Sequence, residues 1–85
     1  MKSEGNVSGE ATLRLNFASL DSAKAAYHAL AQEEDFSHRG GSRVSLKGNS
    51  VVVQIHADDP VSLRASLNSY LRLMHIIKSV EADTG

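Results

Sequence analysis

The chain has 85 residues, a formal net charge of −1 at pH 7, and neither cysteine nor tryptophan. A single domain of this size buries only about 60–65% of the surface that its unfolded chain exposes, so we expect a partner or a second copy to contribute to its stability. The lack of cysteine excludes disulfides and thiolate metal sites, and it fits a cytoplasmic location. No uncharged apolar run approaches the roughly 20 residues of a membrane span, so we expect no membrane association.

The chain begins with a polar segment and continues into a strand. Residues 1–10 predict a flexible N-terminal tail, and residues 11–82 predict a single α+β domain. In the stretch ATLRLNF, apolar Leu13, Leu15 and Phe17 alternate with polar residues. Such alternation is typical of a strand that is buried on one side.

The segment ASLDSAKAAYHALAQEED predicts a helix that Ser19 or Asp21 caps. Apolar residues share its inner face: Leu20, Ala23, Tyr27, Leu30 and Ala31. Small residues mark its outer side: Ser22, Ala25, Ala26 and Ala29. Alanines favour helix formation in any case, but small side chains also let another helix approach closely. Ala25 and Ala29 are therefore candidates for a partner interface.

The segment SRVSLKGNSVVVQIHA predicts two strands joined by a turn at Gly48 and Asn49. Val53 and Ile55 alternate inward in the second of these strands, and apolar Val52 on its other face indicates a central strand. A right-handed crossover makes the first two strands of the chain parallel, with the third between them. The order β-α-β-β-α therefore predicts a three-stranded antiparallel sheet with two helices packed on one face.

The sequence contains no arrangement of residues typical of a catalytic or metal site. Its four histidines lie on different segments and form no metal-ligand motif. Asp58 and Asp59 precede a helix, where a cap is a better explanation than an acid–base pair. The loop RGGSR is too short to bind a phosphate as P-loops do, and we interpret it as a turn. We therefore predict a protein that is not an enzyme, with no catalytic residues, no metal and no cofactor.

The second helix begins at Pro60 and carries apolar residues on more than one side. At about 100° per residue, its core-facing stripe consists of Leu63, Leu67, Tyr70, Leu71, Met74 and Ile77. A second stripe lies about a quarter-turn away and consists of Leu73, Ile76 and Val80, continued upstream by Ser62, Ser66 and Ser69. This second stripe either packs against the first helix or forms an interface with another chain, and we favour the interface.

A polar row also runs along this helix, through Arg64, Asn68, Arg72 and His75. Such a row is most often a solvated face, but this one contains no acidic residue. A row whose charged side chains are all positive, beside an apolar stripe, suits contact with a phosphate or with an acidic partner surface. We expect the row to make a polar contact with another macromolecule.

Three stretches of the chain together resemble a known protein family. They are AKAAYHALAQE, VVVQIHA and DDPVSLRASLNSYLRLMHII, and LRASLNSYLR is the most specific part. They resemble the small dimerisation subunit of the KEOPS complex, the CTAG/Pcc family, over residues 12 to about 80. The length and charge suggest an archaeal-type member.

The resemblance implies a non-catalytic scaffold that forms a homodimer, with its two sheets joined edge to edge. It implies docking and activation of the catalytic threonylcarbamoyltransferase subunit, of the TsaD-like family, in a complex that installs N6-threonylcarbamoyladenosine at position 37 of tRNA. The interface candidates are then Ala25, Ala29, Ser66, Ser69, Leu73, Ile76 and Val80. The candidates for polar contact with that subunit or with tRNA are Arg64, Asn68 and Arg72.

The alternative is a stand-alone small RNA-binding module. It would use the open face of the sheet, with Arg39, Arg43 and Lys47, although many folds of this kind have other functions. The net charge near zero and the scarcity of aromatic residues favour the scaffold.

Overall fold

A computed structural model of the chain describes residues 9–34 and 40–84. Its elements are β1 (Gly9–Asn16), α1 (Leu20–Ala31), β2 (Gly40–Lys47), β3 (Ser50–Ala57) and α2 (Pro60–Thr84). The strands form one sheet in the order β1-β3-β2, with both outer strands antiparallel to β3. This confirms the predicted α+β fold and the central position of the third strand. β1 begins inside the segment predicted as a tail, and residues 1–8 lie outside the described residues.

The core lies between one face of the sheet and the two helices. Its largest fully buried side chains are Leu30 of α1 and Val51, Val53 and Ile55 of β3. β3 contributes most of these buried side chains, because β1 and β2 pair with its two edges and the helices cover one of its faces. The helices divide the sheet between them: α1 lies over β2 and β3, and α2 lies over β1 and β3.

A two-residue turn joins β2 to β3. Lys47 pairs with Ser50 across it, Gly48 has a φ of 60°, and Asn49 has no positive φ. A positive φ at the first turn position alone is the pattern of a type II′ turn, which favours glycine there. The predicted hairpin is confirmed, and its turn sets the register of β2 against β3. The interpretation of RGGSR as a turn is wrong from Gly40 onward, because β2 already begins there and pairs with β3.

Side chains cap the first turns of both helices. The Ser19 hydroxyl oxygen accepts a hydrogen bond from the backbone N–H of Ser22 at 3.1 Å. The Asp59 carboxylate accepts from the backbone N–H of Ser62 at 2.8 Å and from its hydroxyl at 2.9 Å. Asp59 therefore acts as the cap of α2, rather than Asp58 beside it.

Replacing Asp59 with alanine is expected to lower the free energy of unfolding by about 1 kcal/mol, because the first turn of α2 loses a hydrogen-bond acceptor. Urea denaturation followed by circular dichroism measures this change. The matched control is Asp58→Ala, for which we expect less than half the loss. Equal losses would show that negative charge near the helix N-terminus matters and that the cap itself does not.

Several helical residues lie on a different side from that predicted. Leu20 was predicted on the inner face of α1 but is 45% exposed, whereas Ala26, predicted on the outer side, is 2% exposed. Ala26 belongs to the core cluster and lies on the side of α1 that faces Ile76 and Ile77 of α2. On α2, Leu71 was predicted in the core but is 45% exposed, and Leu73, predicted outside the core stripe, packs against the core. These two leucines lie on opposite flanks of the buried stripe, and α1 covers only the flank with Leu73.

Candidate protein-docking groove

An open groove of about 270 Å³ lies between α1 and the C-terminal part of α2. Its lining is almost entirely apolar and consists of Phe17, Ser22, Ala25, Ala26, Ile76, Ile77 and Val80. Ile76 and Val80 form its exposed rim, with 52% and 56% of their surface accessible. The groove is therefore a concave apolar surface that the chain does not fill.

The groove exists because its two walls carry side chains of different size. α1 contributes Ser22, Ala25 and Ala26, which are too short to reach across. α2 contributes the branched side chains of Ile76 and Val80, which remain about half exposed. Full burial of such a side chain contributes about 1.5–3 kcal/mol, so each leaves about 1 kcal/mol unrealised. A partner that fills the groove would gain this energy.

The residue on the floor of the groove directly follows the last residue of β1. Phe17, at 7% exposure, lies on this floor, and the Nζ atom of Lys78 lies 4.8 Å from its ring centroid. The same ammonium donates a hydrogen bond to the backbone carbonyl of Asn16 at 2.9 Å. These contacts hold α2 against β1 and place a positive charge beside the groove floor.

Three interface candidates from the sequence, Ala25, Ile76 and Val80, meet in this groove. Sequence analysis placed Phe17 and Ile77 in the core, where both do pack, but did not place them at the groove. No pattern in the sequence could bring them there, because the walls come from three separate elements.

The other four interface candidates lie on the two helices outside the lining of the groove. The N-terminal half of α1 meets the C-terminal part of α2, so the helices run in opposite directions, and Ala29 follows the groove toward earlier residues of α2. Ala29 and Ser69 are exposed, Ser66 is half-buried, and Leu73 packs against the core. Ala29 and Ser69 are accessible to a partner, whereas Leu73 offers it little surface.

The polar row lies on the outward side of α2, away from the groove. Arg64, Asn68, Arg72 and His75 are all exposed. No hydrogen bond or ion pair joins Arg64, Asn68 or Arg72 to another side chain within the described parts of the chain. Their donors are thus available to an external acceptor.

The open face of the sheet, away from the helices, is mainly polar. Arg14, Arg43 and Lys47 are exposed on it, and Arg39 lies outside the described residues. The described aromatic residues all belong to the core or pack against it. Within residues 9–34 and 40–84, this face therefore offers no phenylalanine or tyrosine ring for base stacking, and the imidazole of His56 is exposed on it.

Neither a metal site nor a membrane span is found in the part of the chain that the structure describes. Among these residues, no group of three or more histidine, cysteine, aspartate or glutamate side chains could hold a metal ion. None of the helices within the same ranges combines the length and the hydropathy that crossing a membrane requires.

Comparison with known protein families matches residues 10–80 of the chain to the family described as transcription factor Pcc1. The matched region includes the sheet except Gly9, all of α1, most of α2 and every residue that lines the groove. No curated protein sequence matches the chain.

Proposed function

Because the chain belongs to the Pcc1 family, a family of non-catalytic subunits of the tRNA-modifying KEOPS complex, we propose that it is a dimerising scaffold subunit of that complex. In this function it docks and activates the TsaD-like threonylcarbamoyltransferase subunit, which forms N6-threonylcarbamoyladenosine at position 37 of tRNA. The chain itself contributes no catalytic residue, and it meets tRNA through the complex. We assign it to the cytoplasm and to the archaeal type of the family.

The groove between α1 and α2 is the observation that supports this proposal most. Ile76 and Val80 are half-exposed anchors one helical turn apart, and Ala25 opposite them leaves room for an incoming side chain. Apolar grooves of this kind bind amphipathic helices of partner proteins. We assign the groove to helices of the catalytic subunit.

Activation without catalytic groups requires that the scaffold bind one conformation of its partner better than another. A ligand shifts a conformational equilibrium only by the difference between its affinities for the two states. A groove formed by two packed helices is a rigid template, because Phe17 and Ile77 on its floor also belong to or pack against the core. Docking there would favour the catalytic subunit's active arrangement over the others.

The direct test reconstitutes the complex with and without this chain. We expect the formation of N6-threonylcarbamoyladenosine, measured by mass spectrometry of digested tRNA, to fall to background when the chain is omitted and to return when it is added. Undiminished modification in its absence would contradict the proposal. Inclusion of a heat-unfolded sample of the chain controls for nonspecific effects of added protein.

The polar row supplies a second prediction. Reversing the charge of Arg72 with Arg72→Glu is expected to slow tRNA modification about fivefold, because one exposed charge contact contributes about 1 kcal/mol. Lys24→Glu, an equal charge change at an exposed position of α1, is the control and should have little effect. Weaker capture of the catalytic subunit would assign the row to that subunit, and weaker tRNA binding alone would assign it to tRNA. Unchanged binding of both would remove the row from the proposed function.

The alternative function, a stand-alone RNA-binding module, makes a different prediction for the isolated chain. It requires tight tRNA binding with a steep salt dependence that charge removal at Arg43 and Lys47 abolishes. The scaffold requires neither. Filter binding of the isolated chain at several salt concentrations therefore separates the two functions.

A further inference from the structure

The outer edge of β2 carries backbone groups that point away from the sheet. Lys47 and Ser50 flank the two-residue turn as a hydrogen-bonded pair, so alternate residues of β2 bond to β3. The residues between them, Val44 and Leu46 among these, direct their backbone N–H and C=O groups outward. Such groups on an edge strand are a template on which a strand of another chain can pair. The protein therefore has a strand edge at which uncontrolled pairing is possible.

A carboxylate occupies the middle of this edge. The backbone N–H of Val44 donates a hydrogen bond to Oε2 of Glu34 at 2.7 Å, and Glu34 is half-buried. Hydrogen bonds to an ionised acceptor at this distance are among the strong ones in proteins. A strand arriving at β2 would have to displace the carboxylate, because its own carbonyl oxygen must take the same place.

Local contacts hold Glu34 in this position. The backbone N–H groups of Glu33 and Glu34 donate to the carbonyls of Leu30 and Ala31 at 2.9 and 3.1 Å, so both residues continue the end of α1. The hydroxyl oxygen of Ser42 in β2 lies 3.5 Å from the carbonyl oxygen of Glu33. The segment is therefore fastened both to α1 and to β2, and the carboxylate needs little reordering to make its bond.

The position of the contact along β2 makes a single carboxylate sufficient. Val44 is the fifth of the eight residues of β2. A strand of the usual length, about five or six residues, cannot pair along this edge without crossing Val44. The next outward donor, the N–H of Leu46, has no acceptor among the described residues, so it shows the state of the edge without such a contact.

A blocked edge limits how far a small sheet can assemble. When both edges of a sheet can pair, copies add one after another without limit, because each addition exposes a further edge. One blocked edge ends such growth. The contact between Glu34 and Val44 therefore bears on the size of assemblies, and the groove assigned to the catalytic subunit includes neither residue.

We propose that Glu34 is a guard of the β2 edge: its carboxylate occupies the outward N–H of Val44 and keeps a strand of another copy from adding there. This inference goes beyond the proposed function, because it concerns a contact within the chain that limits self-association and requires no catalytic subunit. Loss of the guard turns an assembly of fixed size into one that grows with concentration.

Replacing Glu34 with alanine uncovers the N–H of Val44. In sedimentation velocity, the weight-average mass of Glu34→Ala should keep rising with protein concentration and exceed the constant value of the natural chain at least about threefold, because open-ended addition does not close. Glu33→Ala removes an equal charge from the adjacent, exposed residue and should behave as the natural chain does. A constant mass for Glu34→Ala, or equal growth of both variants, would overturn the inference.

A conservative variant and amide exchange test the hydrogen bond itself. The side-chain carbonyl of Glu34→Gln can still accept from Val44, so this variant should keep the mass of the natural chain. In dilute natural protein, the Val44 amide should exchange at least about tenfold more slowly than that of Leu46, and Glu34→Ala should remove this difference. Growth of Glu34→Gln equal to that of the alanine variant, or equal exchange of the two natural amides, would contradict the role of this bond.

Mixing the natural chain with Glu34→Ala separates strand addition from aggregation of unfolded protein. A natural chain still has a blocked β2 edge, so it ends growth wherever it enters a polymer. The weight-average mass of the mixture should therefore fall steeply as the fraction of natural chain rises, while circular dichroism of the variant remains that of the folded protein. Polymers that the natural chain does not shorten would identify another kind of association and overturn the inference.

Discussion

Ile76→Asp should weaken binding of the catalytic subunit at least about a hundredfold, with little change in the stability of the chain itself. Ile76 is 52% exposed at the rim of the groove, so an aspartate there remains hydrated in the isolated protein. Once a partner fills the groove, the carboxylate has to leave water for an apolar surface, which costs several kcal/mol. Isothermal titration calorimetry measures the loss of affinity, and thermal denaturation shows that the fold persists.

The matched control is Val61→Asp, the same kind of substitution on the same helix. Val61 is 78% exposed in the first turn of α2 and does not line the groove. We expect its binding to match that of the natural chain within about twofold, a difference of less than 0.5 kcal/mol. Equal losses in the two variants would mean that added negative charge, and not the groove, determines the affinity. A normal affinity of Ile76→Asp would remove the groove from the proposed function.

The sequence predicts the centre of the buried stripe of α2 well, but it does not predict which of the residues on either side of that stripe are buried. Tyr70 and Met74 lie at the centre of the stripe and are buried, as helical periodicity requires. Leu71 and Leu73 lie about 80° to either side of this centre, so periodicity alone gave no reason to place Leu71 in the core-facing stripe and Leu73 outside it. Only the position of α1 makes Leu73 half-buried and leaves Leu71 exposed. That position is a tertiary property, which no pattern within one helix contains.

The groove likewise shows that patterns within one element do not predict the contacts between separate elements. Exposure of Ile76 and Val80 follows from their angle on the helix, and the sequence predicted it. The contribution of Phe17 to the floor depends on where β1 ends beneath α2, and on the contact with Lys78, which is distant in the sequence. Ala26 was placed on the wrong side because alanine carries no polar group to distinguish an inner from an outer face. Ala25, Ile76 and Val80 could be predicted as surface residues, but the groove that they line together with Phe17 and Ile77 could not.

The second large effect is expected in the core. Leu30 is among the largest fully buried side chains of the described residues, and Leu30→Ala should lower the free energy of unfolding by about 3–4 kcal/mol through lost burial and a residual cavity. A domain of this length has a total stability of about 4–13 kcal/mol, so the isolated variant should melt about 15 °C or more below the natural chain. Differential scanning calorimetry measures this shift. The control is Leu20→Ala on the same helix, where 45% exposure limits the expected loss to about 1 kcal/mol.

If the chain is a subunit whose fold depends on its partners, the Leu30→Ala variant should recover stability when it is bound. Leu30 is fully buried and does not line the groove, so the folded variant should keep its binding surface. A partner that binds only the folded state adds about 2.7 kcal/mol when its free concentration is a hundred times its dissociation constant. The melting temperature of the variant should therefore rise with the concentration of the catalytic subunit, whereas adding the Ile76→Asp substitution should abolish that rise. A rise that persists in the doubly substituted chain would place the stabilising contact outside the groove.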